Sequence, residues 1–329
     1  MPGAGDEADG RLTATASVRP IPAIVGPTAS GKSDLAIGLA LALNGEVVNL
    51  DSVQVYRGIE VATAKVPIAE RQGVPHHLID VVDPTVNFTA GDWARAAAAA
   101  IEDIEGRDRT AVLAGGTGFY LKALTTGLFE APVVDPAIRA RLLERIERRG
   151  PENLHALLAR LDPVSAARLA PRDRSRVVRA LELRIATGQS AADLHAALPR
   201  EVPSRDIASR VRVIALSPPR ETLYRIIDER TDRMFEAGLV EEVRALLDAG
   251  LPPDAKALGA HGYRRVVEHL TGSRTLASAI EQTKLDTRHY AKRQLTWWRS
   301  TPGVFWIETF GTSPDALREA LLYLAGAFE

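Results

Sequence analysis

Five short runs of β-branched and aliphatic residues punctuate the chain: Ile21 to Val25, Val47 to Leu50, Ala111 to Ala114, Val211 to Leu216 and Val304 to Ile307. Between them lie longer stretches with helical periodicity. Strands alternating with helices predict an α/β fold, a parallel sheet wrapped by helices. Lys32 to Leu43 reads as a helix opened by a glycine loop, Gly91 to Glu105 as an alanine-rich helix, and Leu276 to Arg299 as a long basic one.

The alternation breaks between the third and fourth runs. From Asp135 to Ala197 the pattern is helical with no convincing strand, and proline-rich segments flank it, Ala131 to Pro136 before and Pro199 to Pro203 after. An inserted all-helical domain over 131–202 follows, interrupting a core of 20–130 and 203–329. Residues 1–19 are rich in Gly, Ala, Asp, Glu and Thr and read as a disordered tail; no basic start precedes an apolar stretch, so a signal peptide is not expected.

Composition narrows the chemistry. With no cysteine in 329 residues, a disulfide framework, a thiolate metal site and a cysteine nucleophile are all excluded. No uncharged apolar run approaches the ~20 residues of a membrane span. Lys and Arg number 41 against 42 Asp and Glu, so a nucleic-acid site has to be a local patch. Two arginine-rich stretches supply candidates, one in the insertion and one in Leu276 to Arg299.

Gly26-Pro27-Thr28-Ala29-Ser30-Gly31-Lys32-Ser33 joins an expected strand to an expected helix in the phosphate-binding loop pattern. Backbone N–H groups and the positive end of the helix surround phosphate oxygens, Lys32 adds a point charge, and the Ser33 hydroxyl can ligate Mg²⁺. Asp51 follows the second strand, and the carboxyl ends of such strands face the ligand crevice. A carboxylate there either holds Mg²⁺ through water or accepts a proton from a neutral nucleophile, and it can also cap a turn. Paired His76 and His77 lack the partners a metal needs and read as structural.

Beyond the loop, Asp51-Ser52-Val53-Gln54-Val55-Tyr56-Arg57-Gly58, Ala62-Thr63-Ala64-Lys65, Pro75-His76-His77-Leu78-Ile79-Asp80 and Gly115-Gly116-Thr117-Gly118-Phe119-Tyr120-Leu121-Lys122 resemble the bacterial tRNA dimethylallyltransferases. So do Arg176-Val177-Val178-Arg179-Ala180-Leu181-Glu182, Gly262-Tyr263-Arg264 and Tyr290 to Arg299, so the resemblance runs from about Pro22 to Arg299. It departs at His261, where the family usually carries an aliphatic residue, and at Arg265, where it carries an acid.

The resemblance implies a nucleoside-kinase-like phosphate-loop core with strand order 2-3-1-4-5. It also implies transfer of a dimethylallyl group from dimethylallyl diphosphate to the exocyclic amine of the adenosine immediately 3′ of the anticodon, with Mg²⁺. On this reading Asp51 takes the proton, Thr28 bonds the leaving oxygen, and Lys32 and Arg230 clamp the diphosphate, although Arg225 and Arg233 lie close to Arg230 in sequence. An adenosine stacked in an anticodon loop has to be flipped out to react. Asp51, Ser52, Val53, Gln54 and Thr117 would meet it, while Arg139, Ser175, Arg176, Arg179, Gly262, Tyr263, Arg264, Lys292 and Arg293 would hold the RNA. Trp297 and Trp298 are candidates for base stacking or for core. The expected partners are the tRNA anticodon arm and dimethylallyl diphosphate, with no membrane contact; the expected compartment is the cytoplasm and the expected assembly a monomer. Two rivals remain: prenyl transfer to free adenine nucleotides, and a nucleotide-hydrolysing RNA-binding switch.

Overall fold

The computed structural model describes residues 19–129 and 132–326. Residues 1–18 of the expected tail lie outside them, while Arg19 is described and pairs with Asp108 at 2.6 Å. The chain forms two compact units, one through Thr125 and from Ser204 on, the other Thr126–Pro203.

The larger unit opens with β1 (Ile21–Val25), α1 (Lys32–Ala42), β2 (Gly45–Asn49), β3 (His76–His77), α2 (Ala90–Gly106), β4 (Thr110–Ala114) and α3 (Gly118–Thr126). Within the smaller unit come β5 (Leu128–Phe129), α4 (Pro136–Arg149), α5 (Pro151–Leu161), α6 (Pro163–Arg168), α7 (Arg174–Thr187), α8 (Ala191–Ala197) and β6 (Arg200–Glu201). The larger unit resumes with α9 (Arg205–Arg210), β7 (Val211–Leu216), α10 (Arg220–Glu236), α11 (Leu239–Asp248), α12 (His261–Leu270), α13 (Leu276–Arg299), β8 (Phe305–Ile307) and α14 (Pro314–Leu324).

Its sheet runs β3-β2-β4-β1-β7-β8 with every pairing parallel. The five strands read from the sequence therefore stand in the order 2-3-1-4-5, and β3 extends the edge. β1 and β2 are buried at every residue, as strands covered on both faces are. Pro22 lacks a ladder donor, and β1 accommodates it at the end where pairing with β4 has not yet begun; that register starts at Ala23.

Against the sheet, α1 and α14 pack into one apolar cluster with Ile24, Val112, Ile214, Leu216 and Ile307. Each fully buried Leu or Ile there contributes about 1.5–3 kcal/mol. α2 begins one residue before the expected Gly91 because Thr89 and Asp92 form a reciprocal capping box. It packs on β2 and β4, and its Trp93 donates to the Asn49 carbonyl at 2.9 Å. Glu46, 1% exposed, accepts from Arg107, Arg109 and His77, and those donors hold its carboxyl far below the usual range. His77 is thus a structural partner, and no group of three His, Cys, Asp or Glu able to hold a metal occurs among the described residues.

The smaller unit begins three of its helices with proline at the first position, Pro136, Pro151 and Pro163, where a missing N–H costs nothing. Leu142, Ile146, Leu154, Leu158, Val177, Val178 and Leu181 form its own core. The expectation of an all-helical insertion is corrected in one respect: Leu128–Phe129 pairs antiparallel with Arg200–Glu201. Two residues per strand are too few for period-two alternation to be visible.

Candidate active site

Because every strand of the sheet is parallel, the segments after β1, β2, β4 and β8 all emerge at one end. There they line a cavity of about 490 Å³ together with one face of α10 and one of α13. Thr28 to Ser33, Asp51, Gln54, Arg230, Tyr290, Gln294, Phe310 and Thr312 are among its walls.

The first wall is the loop after β1. Gly31 caps α1 in the left-handed region at φ 80, and a Cβ there would sit 2.9 Å from the Thr312 backbone nitrogen, so only glycine fits. Lys32 donates to the Pro27 carbonyl at 2.7 Å. Burial pulls its ammonium down from 10.5 to about 8, against the Asp51 charge and helped by Arg230. Ser30 Oγ, in the same loop, is buried with no hydrogen-bond partner among the described residues.

Arg230 is the one arginine of its helix that reaches this loop. Its Nη2 donates to Thr28 Oγ1 at 2.7 Å, whereas Arg225 pairs outward with Glu229 and Arg233 bonds the Glu229 carbonyl. Thr222, Ile226 and Arg230, spaced by four, form the cavity-facing stripe of α10.

Across the cavity, Asp51 does two things at once. Its Oδ1 accepts from the Val53 N–H at 2.8 Å and the Gln54 N–H at 3.3 Å, closing the turn that follows β2. The carboxylate also lines the cavity and acts on Lys32, Arg230 and Tyr290. β2 and β1 are separated by β4, so about 10 Å lies between the two loop origins. Thr117 Oγ1 accepts from the Ser52 N–H at 3.2 Å, so this hydroxyl serves the Asp51 turn.

Two side chains of α13 that carried no separate role in the sequence reading complete the site. Gln294, 5% exposed, accepts from the Thr28 N–H at 2.8 Å and donates to the Gly116 carbonyl at 3.1 Å, tying the loops after β1 and β4 together. A Cβ on Gly116 would lie 2.0 Å from that amide nitrogen. The Tyr290 hydroxyl stands beside Thr117 and Gln294; burial and the Asp51 charge push it up. Their signal was available, since 290, 294 and 298 share a helix face opposite Lys292, and a glutamine on a face otherwise bound for the core needs partners.

The expected RNA contacts divide. Lys292, Arg293 and Arg264 are exposed. Gly262 and Tyr263 are corrected: Tyr263 is 0% exposed with its hydroxyl on Glu242, and Gly262 is packed against Leu239 and Ala62, so neither presents surface to a ligand. Arg265 reaches Asp286 of α13 at 2.6 Å, and His261 meets the Tyr290 ring edge-on, so both departures from the family pattern face that helix. Trp298 is core and Trp297 covers Gly118. Within the smaller unit, Arg139 and Arg179 both pair with the buried Glu182, at 2.9 and 3.2 Å, while Ser175 and Arg176 are exposed.

Ammonium and guanidinium beside a glycine loop, with a carboxylate across the cavity, define a group-transfer site for a substrate with an anionic leaving group. Residues 54–301 match the family described as IPP transferase, and the chain belongs to that family. It is 46% identical over 304 residues to the tRNA dimethylallyltransferase of Solibacter usitatus, covering 92% of this chain and 97% of that one. The full-length tRNA isopentenylpyrophosphate transferase of Bacillus halodurans superposes with a TM-score of 0.68 at 37% identity, covering 94% of this chain and 96% of that one. A eukaryotic dimethylallyltransferase acting on tRNA gives a TM-score of 0.71 at 28% identity over 94% and 79%.

One consequence for pH follows from Lys32. Its ammonium is half charged at about pH 8 and fully charged only about a unit below, so its attraction for an anionic substrate group falls as pH rises through that range. The KM for a diphosphate substrate should be flat to about pH 7, bend near pH 8 and then rise by up to about tenfold per pH unit. A donor KM still flat at about pH 10 would show that Lys32 charge plays no part in binding.

Proposed function

We propose that this protein transfers a dimethylallyl group from dimethylallyl diphosphate to the N6 amine of the adenosine immediately 3′ of the tRNA anticodon, releasing diphosphate. The carrying observation is that Lys32, the Arg230–Thr28 pair and Asp51 all border one cavity. The allylic carbon that exchanges one bond for the other would sit between a diphosphate held at the loop after β1 and an adenine amine at Asp51.

The allylic carbon–oxygen bond breaks and its electron pair leaves with the diphosphate, whose growing charge meets Lys32, Arg230 and the loop N–H groups. Thr28, already hydrogen-bonded to Arg230, donates to the departing oxygen. The amine nitrogen bonds the allylic carbon, and its proton passes to Asp51, whose Oδ2 is not engaged in the turn. Ser33 and Asp51 offer oxygen ligands at the cavity, which suits Mg²⁺: the Ser33 hydroxyl would hold it, and the ion would offset leaving-group charge. One chain carries every group named here, so a monomer suffices. No helix among the described residues is long and apolar enough to cross a membrane, and the cytoplasm is the proposed compartment.

Parallel assays with tRNA, AMP and ATP test the proposal. Prenyl transfer to tRNA without ATP turnover supports it; transfer to AMP alone, or ATP hydrolysis alone, replaces it with one of the rivals.

The smaller unit is proposed to grip the tRNA backbone. Arg176 is the cleanest probe, because it is exposed and its neighbour Asp173 is not deeply buried, whereas neutralising Arg139 or Arg179 also strips the buried Glu182. Arg176→Ala should make the slope of log affinity against log salt shallower by roughly 0.7–0.9. An unchanged slope removes Arg176 from the interface.

A further inference from the structure

Between β2 and β3 the chain has no regular element among residues 50–67, yet this stretch carries Gln54, Thr63 and Ala64, all of which line the cavity. What holds it comes from α11 and α12. Glu242 accepts from two consecutive backbone N–H groups, Glu60 and Val61, both at 2.9 Å. Tyr263 donates its hydroxyl to Glu242 at 2.6 Å and accepts from the next N–H, Ala62, at 3.2 Å. Three successive donors are thereby captured by one carboxylate and one phenol. A Cβ on Gly262 would lie 3.3 Å from that of Ala62, so the glycine lets α12 approach this closely.

Immediately afterwards the chain turns its carbonyls the other way. Gln54 Nε2 donates to the Thr63 carbonyl at 2.9 Å and the Ala64 carbonyl at 3.2 Å. Lys65 closes the far side by donating to the Tyr56 carbonyl at 2.8 Å and pairing with Glu60 and Asp80. Two carbonyls settle the orientation of the Gln54 amide, since rotating it by half a turn would set oxygen against oxygen. Its Oε1, which accepts nothing among the described residues, is left for the cavity as a hydrogen-bond acceptor.

We propose that Tyr263 and Glu242 are positioning residues for base recognition: by clamping residues 60–62 they hold the Thr63 and Ala64 carbonyls, which fix Gln54 with its acceptor toward the incoming base. The inference rests on the prenyl-transfer reading and deepens it. An acceptor so fixed complements an amino-substituted purine edge and opposes a carbonyl-substituted one. A buried tyrosine that touches no ligand thereby acts on selection of the acceptor and leaves the donor end alone.

Tyr263→Phe tests this, because it keeps the buried ring and removes only the hydroxyl; Glu242→Gln is the second variant, placing an N–H against the backbone donors. In Tyr263→Phe, amide hydrogen exchange should accelerate at residues 60–62 while α1 and the loop after β1 stay as in the parent. The kcat/KM for tRNA should fall by about tenfold, with the donor KM within about twofold of the parent. On a Gln54→Ala background the same substitution should change tRNA kcat/KM by less than about twofold, since the group it positions is gone. Unchanged exchange, an unchanged tRNA kcat/KM, or full additivity with Gln54→Ala would each overturn the proposal. A parent that transfers nothing to tRNA while Tyr263→Phe frees those amides would instead overturn the prenyl-transfer reading, and with it the assignment of the clamp to base recognition.

Discussion

Asp51→Asn should lower kcat by roughly 10² to 10⁴ with the fold intact. Asparagine is the informative replacement because Asp51 has two jobs. Its Oδ1 accepts from Val53 and Gln54, a role an asparagine oxygen also fills, whereas only a carboxylate can take the amine proton. The asparagine variant should therefore keep its melting temperature and its donor KM while losing turnover. Asp51→Ala loses the turn as well and should cost about 1 kcal/mol more in stability. Stability and turnover are measured on the same preparations. If the asparagine variant turns over normally and only the alanine variant fails, Asp51 is a turn staple and the proton goes elsewhere.

Lys32→Ala should reduce kcat/KM for the donor by roughly 10² to 10³, expressed in KM as well as in kcat. The ammonium meets the diphosphate before reaction and meets more charge as the carbon–oxygen bond breaks, so both states weaken. It is also half-buried, so water screens it less than it would a surface charge. The KM for tRNA should move far less, because none of the arginines and lysines proposed to hold the RNA backbone bonds Lys32 or its partner Pro27. Equal losses toward donor and tRNA would mean that the loop has collapsed without its lysine bond to Pro27, which circular dichroism and calorimetric titration with inorganic diphosphate would separate from lost binding.

Much of this arrangement is legible from sequence because it is built by local rules. A glycine loop between a buried strand and an amphipathic helix leaves little choice for Gly26 to Ser33, and parallel strands put Asp51 at the same sheet end. Arg230 is a harder case. Four arginines occupy α10, and sequence spacing alone does not say which faces the loop; the stripe of Thr222, Ile226 and Arg230 decides it only once the helix is docked. Gln294 lies 266 positions from Thr28 in the chain, so its contact is set by how α13 packs and by nothing near either residue.

Tyr263 shows the opposite limit. A Gly-Tyr-Arg run beside basic residues reads as an RNA contact, yet the tyrosine is wholly buried and the arginine alone is exposed. Its partners, Glu242 and the N–H of Ala62, come from segments 21 and 201 positions away, beyond any local pattern. The paired arginines of the smaller unit carry a similar lesson. Counting charges gives a basic patch, whereas the folded chain matches Arg139 and Arg179 to Glu182, Arg172 to Glu152 and Arg174 to Glu147. The exposed pairs, Arg172 with Glu152 and Arg174 with Glu147, are worth about 0–1 kcal/mol, so a phosphate can still displace the acid there, whereas the two arginines on Glu182 hold a buried carboxylate.

The most direct test of the central claim is nucleoside mapping. Unmodified tRNA with adenosine 3′ of its anticodon is incubated with the protein, dimethylallyl diphosphate and Mg²⁺, then digested and read by mass spectrometry. One dimethylallyl group on that adenosine, absent when Asp51→Asn replaces the parent, is the predicted result. Unmodified RNA together with RNA-stimulated ATP hydrolysis would contradict it.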